Sequence, residues 1–345
     1  VEFARDPRSG ELRLKRAGAA ASAAEATGGE SLTLRVNVSL VEINCGVRGA
    51  DGKELRGLKR EAFRILENGV EQKIEHFDDG SERASLALVL DDSPSVYREW
   101  NSMKRAARAL AAGLAPQDEI AVVAFAAETH LLLPFTNDRT QLERAMAKVE
   151  IAGGPGSPRG SNIYQAVYLT VKELFAGRRG RKAIVLLTDG QDSGLGLGWT
   201  SSSETASGDR LTFQDVARAL SAAGVEAHVV STQPRPRAMS EAWLESRLAS
   251  GSLLAEARRA GIPHYTAYLA ELVRWAGGKL YFLGEIGSLE EVYRQIAERL
   301  RAQYTLGYYP AAGTRQSGWR KVRVELSGVA GARVTHRAMY YVPAH

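Results

Sequence analysis

The sequence predicts an α/β fold: a mostly parallel sheet with helices on both faces, inserted into a small β-sandwich that the two ends of the chain build together. Three observations predict it. From Leu86 onward, apolar strand-like runs alternate with helical patterns, and such βαβ order builds a parallel sheet. Before that point and past Gln303 the pattern is β alone. Neither β part has enough strands to cover its own apolar face, so residues 32–79 and 303–343 are expected to share one sandwich.

Residues 1–31 mix charge with the stretch "AGAAASAAEATGGES" and read as a tail or linker. Leu32, Leu34, Val36, Val38 and Leu40 then alternate, after which the apolar set shifts by one to Val41, Ile43, Cys45 and Val47. A β-bulge would absorb the extra residue. "FRILENGVEQKIEHF" reads as a hairpin closed by Asn68 and Gly69. Within 84–302, strands are expected at 86–91, 119–126, 182–188, 225–231 and 279–284, with an antiparallel addition in "ETHLLLPFT". Helices are expected near 97–112, 138–149, 161–176, 211–223, 266–276 and 288–302. Ser288 with Glu291 has the spacing of a capping box, and Gly277-Gly278 stops the preceding helix. The last segment returns to strands in "YTLGYY", "WRKVRVELS" and "ARVTHRAMYYV".

Composition narrows the function classes. The chain has 345 residues, 44% of them hydrophobic and 25% charged, with a net charge of +5. That balance fits a globular protein and gives no basis for nucleic-acid binding, because no basic helix with interleaved aromatics and no zinc-finger spacing occurs. No apolar run is long enough to span a bilayer. No signal peptide is recognisable in these residues, which says nothing of a precursor. Residues 301–345 hold seven Lys/Arg against the single acid Glu325, read as a solvated basic sheet face or a polyanion site. Cys45 is the only cysteine, so it forms no intramolecular disulfide and no thiolate metal cage. It shares an apolar face with its strand neighbours and reads as a small core residue. The six histidines are scattered without an HExxH pair, which leaves zinc-hydrolase chemistry unsupported.

Chemistry concentrates where strands end. "LVLDDSPSV" runs an apolar strand into Asp91, Ser93 and Ser95; "RGSNIYQAV" places Ser161 at a helix start; "IVLLTDGQD" delivers Asp189 from another strand. In an open parallel sheet, ligands gather at these carboxyl ends. One reading of the first stretch is a plain strand-to-helix turn with Ser95 as cap. The other is a cation site. Two carboxylates and three hydroxyls without a basic neighbour repel one another, and a hard divalent cation removes that penalty. Such oxygen ligands suit magnesium better than zinc.

"VLDDSPS", "GSNIYQAV" and "LLTDGQD", in this order and spacing, resemble the metal-ion-dependent adhesion site of von Willebrand factor type A domains over roughly residues 84–302. The flanks "DGKELRGLKREAFRILENGVEQKIEHF" and "LRAQYTLGYYP" resemble the bacterial members of that family best known from Acidobacteria. The resemblance implies a Rossmann-like domain in which Ser93 and Ser95 ligate Mg2+ (or Mn2+ or Ca2+) directly. Asp91 and Asp189 would bind directly or through water, and Ser161 holds the place usual for threonine. The sixth position is left to water or to a carboxylate of a protein partner. Export to the periplasm, cell surface or medium is also implied. Two residues depart from the family pattern: Pro94 stands where glycine is usual, fixing φ and removing an N–H, and Ser161 lacks a rotamer-limiting methyl.

Three functions remain in view. An open coordination position without a neighbouring catalytic base favours a binding module over an enzyme. A metal-dependent hydrolase would need a poised base, and the motif loops offer only Asp92 and Asp192, which read as solvated or supporting groups. A structural role in an envelope assembly is the third. Two long stretches, "GQDSGLGLGWTSSSETASGD" and the run from Gln233 to Tyr265, leave strand ends. Both are expected to rise around the metal as a rim, with Trp199 or Trp243 as an aromatic anchor for the partner.

Overall fold

Eight consecutive residues from Ala84 to Asp91, and eight more from Arg181 to Thr188, are buried without exception. Only a strand covered on both faces takes such a sequence. The computed structural model describes residues 3–5, 12–14, 40–93, 100–148, 160–198, 209–248, 253–310 and 317–342. Strands β1 (Phe3–Arg5) and β2 (Leu12–Leu14) pair antiparallel. Next come β3 (Val41–Arg48), β4 (Phe63–Glu67), β5 (Val70–Gln72) and β6 (His76–Asp78).

The α/β unit begins with β7 (Ala84–Asp91), α1 (Trp100–Gly113), β8 (Glu119–Phe125), β9 (Thr129–Thr136) and α2 (Arg139–Lys148). It continues with α3 (Ile163–Leu169), which runs on into a π-helical turn, then β10 (Arg181–Thr188), α4 (Phe213–Ala223) and β11 (Val225–Ser231). Helices α5 (Glu241–Leu248), α6 (Leu253–Arg259) and α7 (His264–Ala276) lead to the short edge strand β12 (Leu280–Phe282). Helices α8 (Leu283–Ile286) and α9 (Leu289–Arg301) close the unit. The chain finishes in β13 (Tyr304–Tyr308), β14 (Gly318–Leu326), β15 (Arg333–His336) and β16 (Met339–Val342).

The six-stranded sheet has the order β12-β11-β10-β7-β8-β9, parallel except for β9. Strand periodicity divides its core in two. Leu86, Leu88 and Leu90 of β7 face a cluster built with α1 and α9, whereas Ala87 and Val89 face one built with α3, α4 and α7. Each fully buried leucine or valine contributes about 1.5–3 kcal/mol.

Two four-stranded sheets, β15-β3-β13-β6 and β16-β14-β4-β5, each take strands from both ends of the chain. Their shared core holds Ile43, Cys45 and Val47 against Tyr304, Leu306, Val322 and Val324. The expected α/β unit within a sandwich is therefore the architecture observed. Glu67 is buried in that sandwich and accepts hydrogen bonds from the hydroxyls of Tyr308 (2.8 Å) and Tyr340 (2.6 Å). Asn68 (φ 48°) and Gly69 (φ 86°) close the β4–β5 hairpin with two left-handed residues, as a type I′ turn requires.

Buried polar bonds fasten the sandwich to the α/β unit. Arg337 donates to the carbonyls of Ser221 (2.5 Å) and Glu42 (2.8 Å), and burial lowers its pKa to about 10. The Tyr341 N–H donates to Ser221 Oγ at 2.8 Å, and Trp275 of α7 stacks on Trp319 of β14 at 4.1 Å between ring centroids.

Several local details differ from the sequence reading. The strand expected to 284 stops at Phe282, and Leu283 opens a helical turn. The Ser288 cap is only half a box: its Oγ accepts from Glu291 N at 3.2 Å, while the Glu291 carboxylate is held by Arg294 and Gln295. Thr212 and Asp215 form a complete box at α4 instead. The alternation at 32–39 and the bulge proposed beside it lie outside the described residues.

Candidate metal centre

β7 and β10 are neighbours in parallel register, with Leu90 opposite Leu187. The chain therefore leaves both strands at one level. Between them the strand order reverses, since β8 and β9 lie on one side and β11 and β12 on the other. That is the topological switch point where open α/β sheets bind ligands.

Asp91 is fully buried there. Its Oδ1 accepts the Ser93 N–H at 3.0 Å, and its Oδ2 accepts the hydroxyls of Ser161 (3.1 Å) and Thr188 (2.9 Å). Asp189 follows Thr188 and accepts the Gln191 N–H at 2.9 Å. Gly190 has φ 84°, and a Cβ on it would lie 2.9 Å from the Leu269 side chain, so the turn after Asp189 requires glycine. The Ser161 loop is pinned on both sides. Ser193 N donates to Ser161 O at 2.8 Å, and Asn162 donates to the carbonyls of Ala126 (2.8 Å) and Ala127 (2.7 Å).

Four of the five residues read as metal ligands are thus gathered at one sheet end: Asp91, Ser93, Ser161 and Asp189. Ser95, Pro94 and Trp199 lie outside the described residues. Thr188 escaped the sequence reading because it ends an otherwise apolar run, yet its hydroxyl joins β10 to the Asp91 carboxylate. Asp192 is not a solvated loop residue. It is half-buried and accepts the N–H groups of Leu195 (2.7 Å) and Tyr164 (3.4 Å), the latter in the first turn of α3. Asp92 is not solvated either: it is buried, and its Oδ1 has no hydrogen-bond partner among the described residues.

Trp243 also departs from expectation. Beyond β11, the fully buried Met239 pins the returning chain, and Glu241 of α5 pairs with Lys279 beside the edge strand β12 at 3.1 Å. Trp243 packs against the core shared by α3, α4 and α7. Its helix borders a cavity facing the sandwich, two strands out from β10, and does not rise over Asp91.

The electrostatics favour a cation. Burial raises the Asp91 pKa, hydrogen bonds from Ser93 and Thr188 oppose that rise, and the charge of Asp189 adds to it. Burial and then the charge of Asp91 raise Asp92 to about 6. No cluster of three or more His, Cys, Asp or Glu side chains forms a metal cage among the described residues, so hydroxyls must complete any coordination shell. Carboxylate and hydroxyl oxygens around uncompensated negative charge are the donor set of a hard divalent ion.

Residues 86–191 match the family model described as a von Willebrand factor type A domain. No curated protein matches the chain. Among solved structures, an aerotolerance-related membrane protein from Bacteroides fragilis shares 17% identity at a TM-score of 0.42, with 63% of this chain and 98% of that one covered. The conserved hypothetical protein BatB from Bacteroides thetaiotaomicron shares 15% identity at a TM-score of 0.44, covering 63% and 97%. Proximal thread matrix protein 1 from the mussel byssus, with a zinc-occupied MIDAS motif, shares 17% at a TM-score of 0.42, covering 68% and 49%. The matched residues run from inside β7 to just past Asp189 and take in all three loops of the site, so this chain carries a von Willebrand factor type A domain.

Proposed function

We propose that the protein is a metal-assisted protein-binding module, in which a divalent cation at the switch point engages a carboxylate of a partner. The observation that carries this reading is the convergence of Asp91, Ser93, Ser161 and Asp189 at one sheet end, where the hydroxyls of Ser161 and Thr188 turn onto the buried Asp91 carboxylate and the charge of Asp189 adds to it. Magnesium is the ion these oxygens favour, with manganese or calcium as substitutes. When bound, the cation supplies a Lewis-acidic position for an anionic group. Ser93, Ser95, Ser161 and Asp189 would hold it, and Asp91 would bind it or orient its water.

The chain's own residues do the positioning. Thr188 and Ser161 fix the Asp91 carboxylate, while Ser193 and Asn162 fix the Ser161 loop. Binding rather than catalysis is the reading favoured, because Asp92, the candidate base in the first motif, is buried. No helix of the described residues is long and apolar enough to cross a membrane. A place outside the cytoplasm follows from the resemblance of the flanks and belongs to the same proposal.

Calorimetric titration with Mg2+ and Mn2+ tests the site. Wild type should bind one equivalent, and Asp189→Asn should bind none while melting like the wild-type apoprotein. A pull-down from an extracellular fraction, with and without EDTA, tests the role. A partner retained equally in EDTA would leave the metal structural and contradict adhesion through it.

A further inference from the structure

A cavity of about 1480 Å³ opens between the sandwich and the α/β unit, away from the loops around Asp91. Its α/β wall includes one side of α5, Glu226 near the start of β11 and Arg299 near the end of α9. Its sandwich wall includes residues of β14 and β15, with Arg48 of β3 and the β4–β5 turn beside them. Seven lysines and arginines line it, against three glutamates.

Four of those cations already have carboxylate partners: Arg48, Arg274, Lys279 and Arg323. The other three are differently placed. Lys321 and Arg333, exposed on β14 and β15, take part in no ion pair among the described residues. Arg299 is more than nine-tenths buried and gives one nitrogen to Thr335 Oγ1 at 3.1 Å, while its Nε finds no acceptor among the described residues. Glu226 lies close enough to feel its charge, but that carboxylate accepts from Gln303 at 2.6 Å. A buried guanidinium N–H without an acceptor, at the wall of a cationic cavity, marks a place where an anion is stabilised.

The backbone adds an independent indication of what kind of anion. Among the described residues, β15 is the outer strand of its sheet and β12 the outer strand of the six-stranded sheet, and residues of both line the cavity. Open strand edges are satisfied by an extended peptide. Leu244, Leu248 and Val334 offer apolar seats between the charges. The volume exceeds the roughly 300–1,000 Å³ of a small-molecule pocket, which fits a segment of several residues.

We propose that this cleft is a second binding site, taking an extended acidic peptide in which carboxylate and apolar side chains alternate. The site does not depend on the metal centre, and its test separates the two. A fluorescein-labelled, end-blocked octapeptide of alternating glutamate and leucine is titrated with the full chain in EDTA, and anisotropy is read. Saturable binding that weakens with salt is expected. The double variant Lys321→Glu/Arg333→Glu should weaken it by about tenfold or more while keeping the wild-type melting temperature, since neither side chain forms an ion pair among the described residues. Asp189→Asn should bind as wild type does. The proposal is overturned by absence of saturable binding in EDTA, by undiminished binding in the double variant, or by heparin binding where the peptide does not, which would make the cleft a polyanion patch.

Discussion

The Asp91 carboxylate accepts from the Ser93 N–H and from two hydroxyls, Ser161 ahead of α3 and Thr188 at the end of β10, whereas among the described residues Asp189 accepts from its neighbour Gln191. The two acids should therefore respond differently to removal. Asp91→Ala leaves the buried Thr188 hydroxyl without its acceptor and is expected to cost roughly 1–3 kcal/mol of apoprotein stability. Asp189→Asn should be nearly neutral in EDTA, and urea melts of both variants check the contrast. His336 gives a pH dependence of known sign. Its Nε2 accepts the Val324 N–H at 3.1 Å and its Nδ1 donates to Arg337 O at 2.7 Å, so the ring must be neutral. Burial, first of all, lowers its pKa below the ordinary 6.5. The unfolded chain thus takes up this proton first as pH falls. The contribution is fully present above about pH 6.5 and is lost as pH falls toward the folded-state pKa. Melting temperatures from pH 7 to 5 should fall less steeply in His336→Gln than in wild type; identical slopes would contradict the assignment.

At the scale of elements, what the sequence made legible was whatever a short stretch decides by itself. Asn68-Gly69 declares its hairpin because the turn needs two left-handed residues, and β7 and β10 declare themselves central by the unbroken apolar runs Leu86–Leu90 and Ala183–Leu187. The Ser288 box failed because a neighbouring arginine competes for Glu291, and competition between side chains cannot be read from spacing. Thr188 was invisible for a related reason: its role depends on β7 lying beside β10. The path into α5 is not legible in the sequence, because it rests on the burial of Met239 and on the pairing of Glu241 with the distant Lys279. Elements also explain how the sandwich stays docked. Arg337 bridges β3 and α4 through two carbonyls. Arg337→Met should cost about 2–4 kcal/mol, because a buried and a half-buried carbonyl lose their donor. Denaturant titration followed by tryptophan fluorescence would register the change, since Trp275 and Trp319 stack across the same junction.

For the molecule as a whole, the insertion of an α/β unit into a sandwich separates two kinds of chemistry. Hard oxygen ligands and negative charge sit at the carboxyl ends of β7 and β10, while the cationic cleft lies where the unit meets β14 and β15. The cleft could not be read from the sequence, since its walls come from residues as far apart as Arg48, Glu226, Arg299 and Arg333. The meeting of Asp91, Ser161 and Asp189 at one sheet end could, because their three motifs each follow a recognisable strand or open a helix. The most direct test of the central claim is a crystal grown with manganese, with diffraction measured at the metal's absorption edge. The account predicts one strong anomalous peak in contact with Ser93, Ser161 and Asp189. Full-length crystals soaked to saturation that show no peak there, or a peak held by other residues, would contradict it.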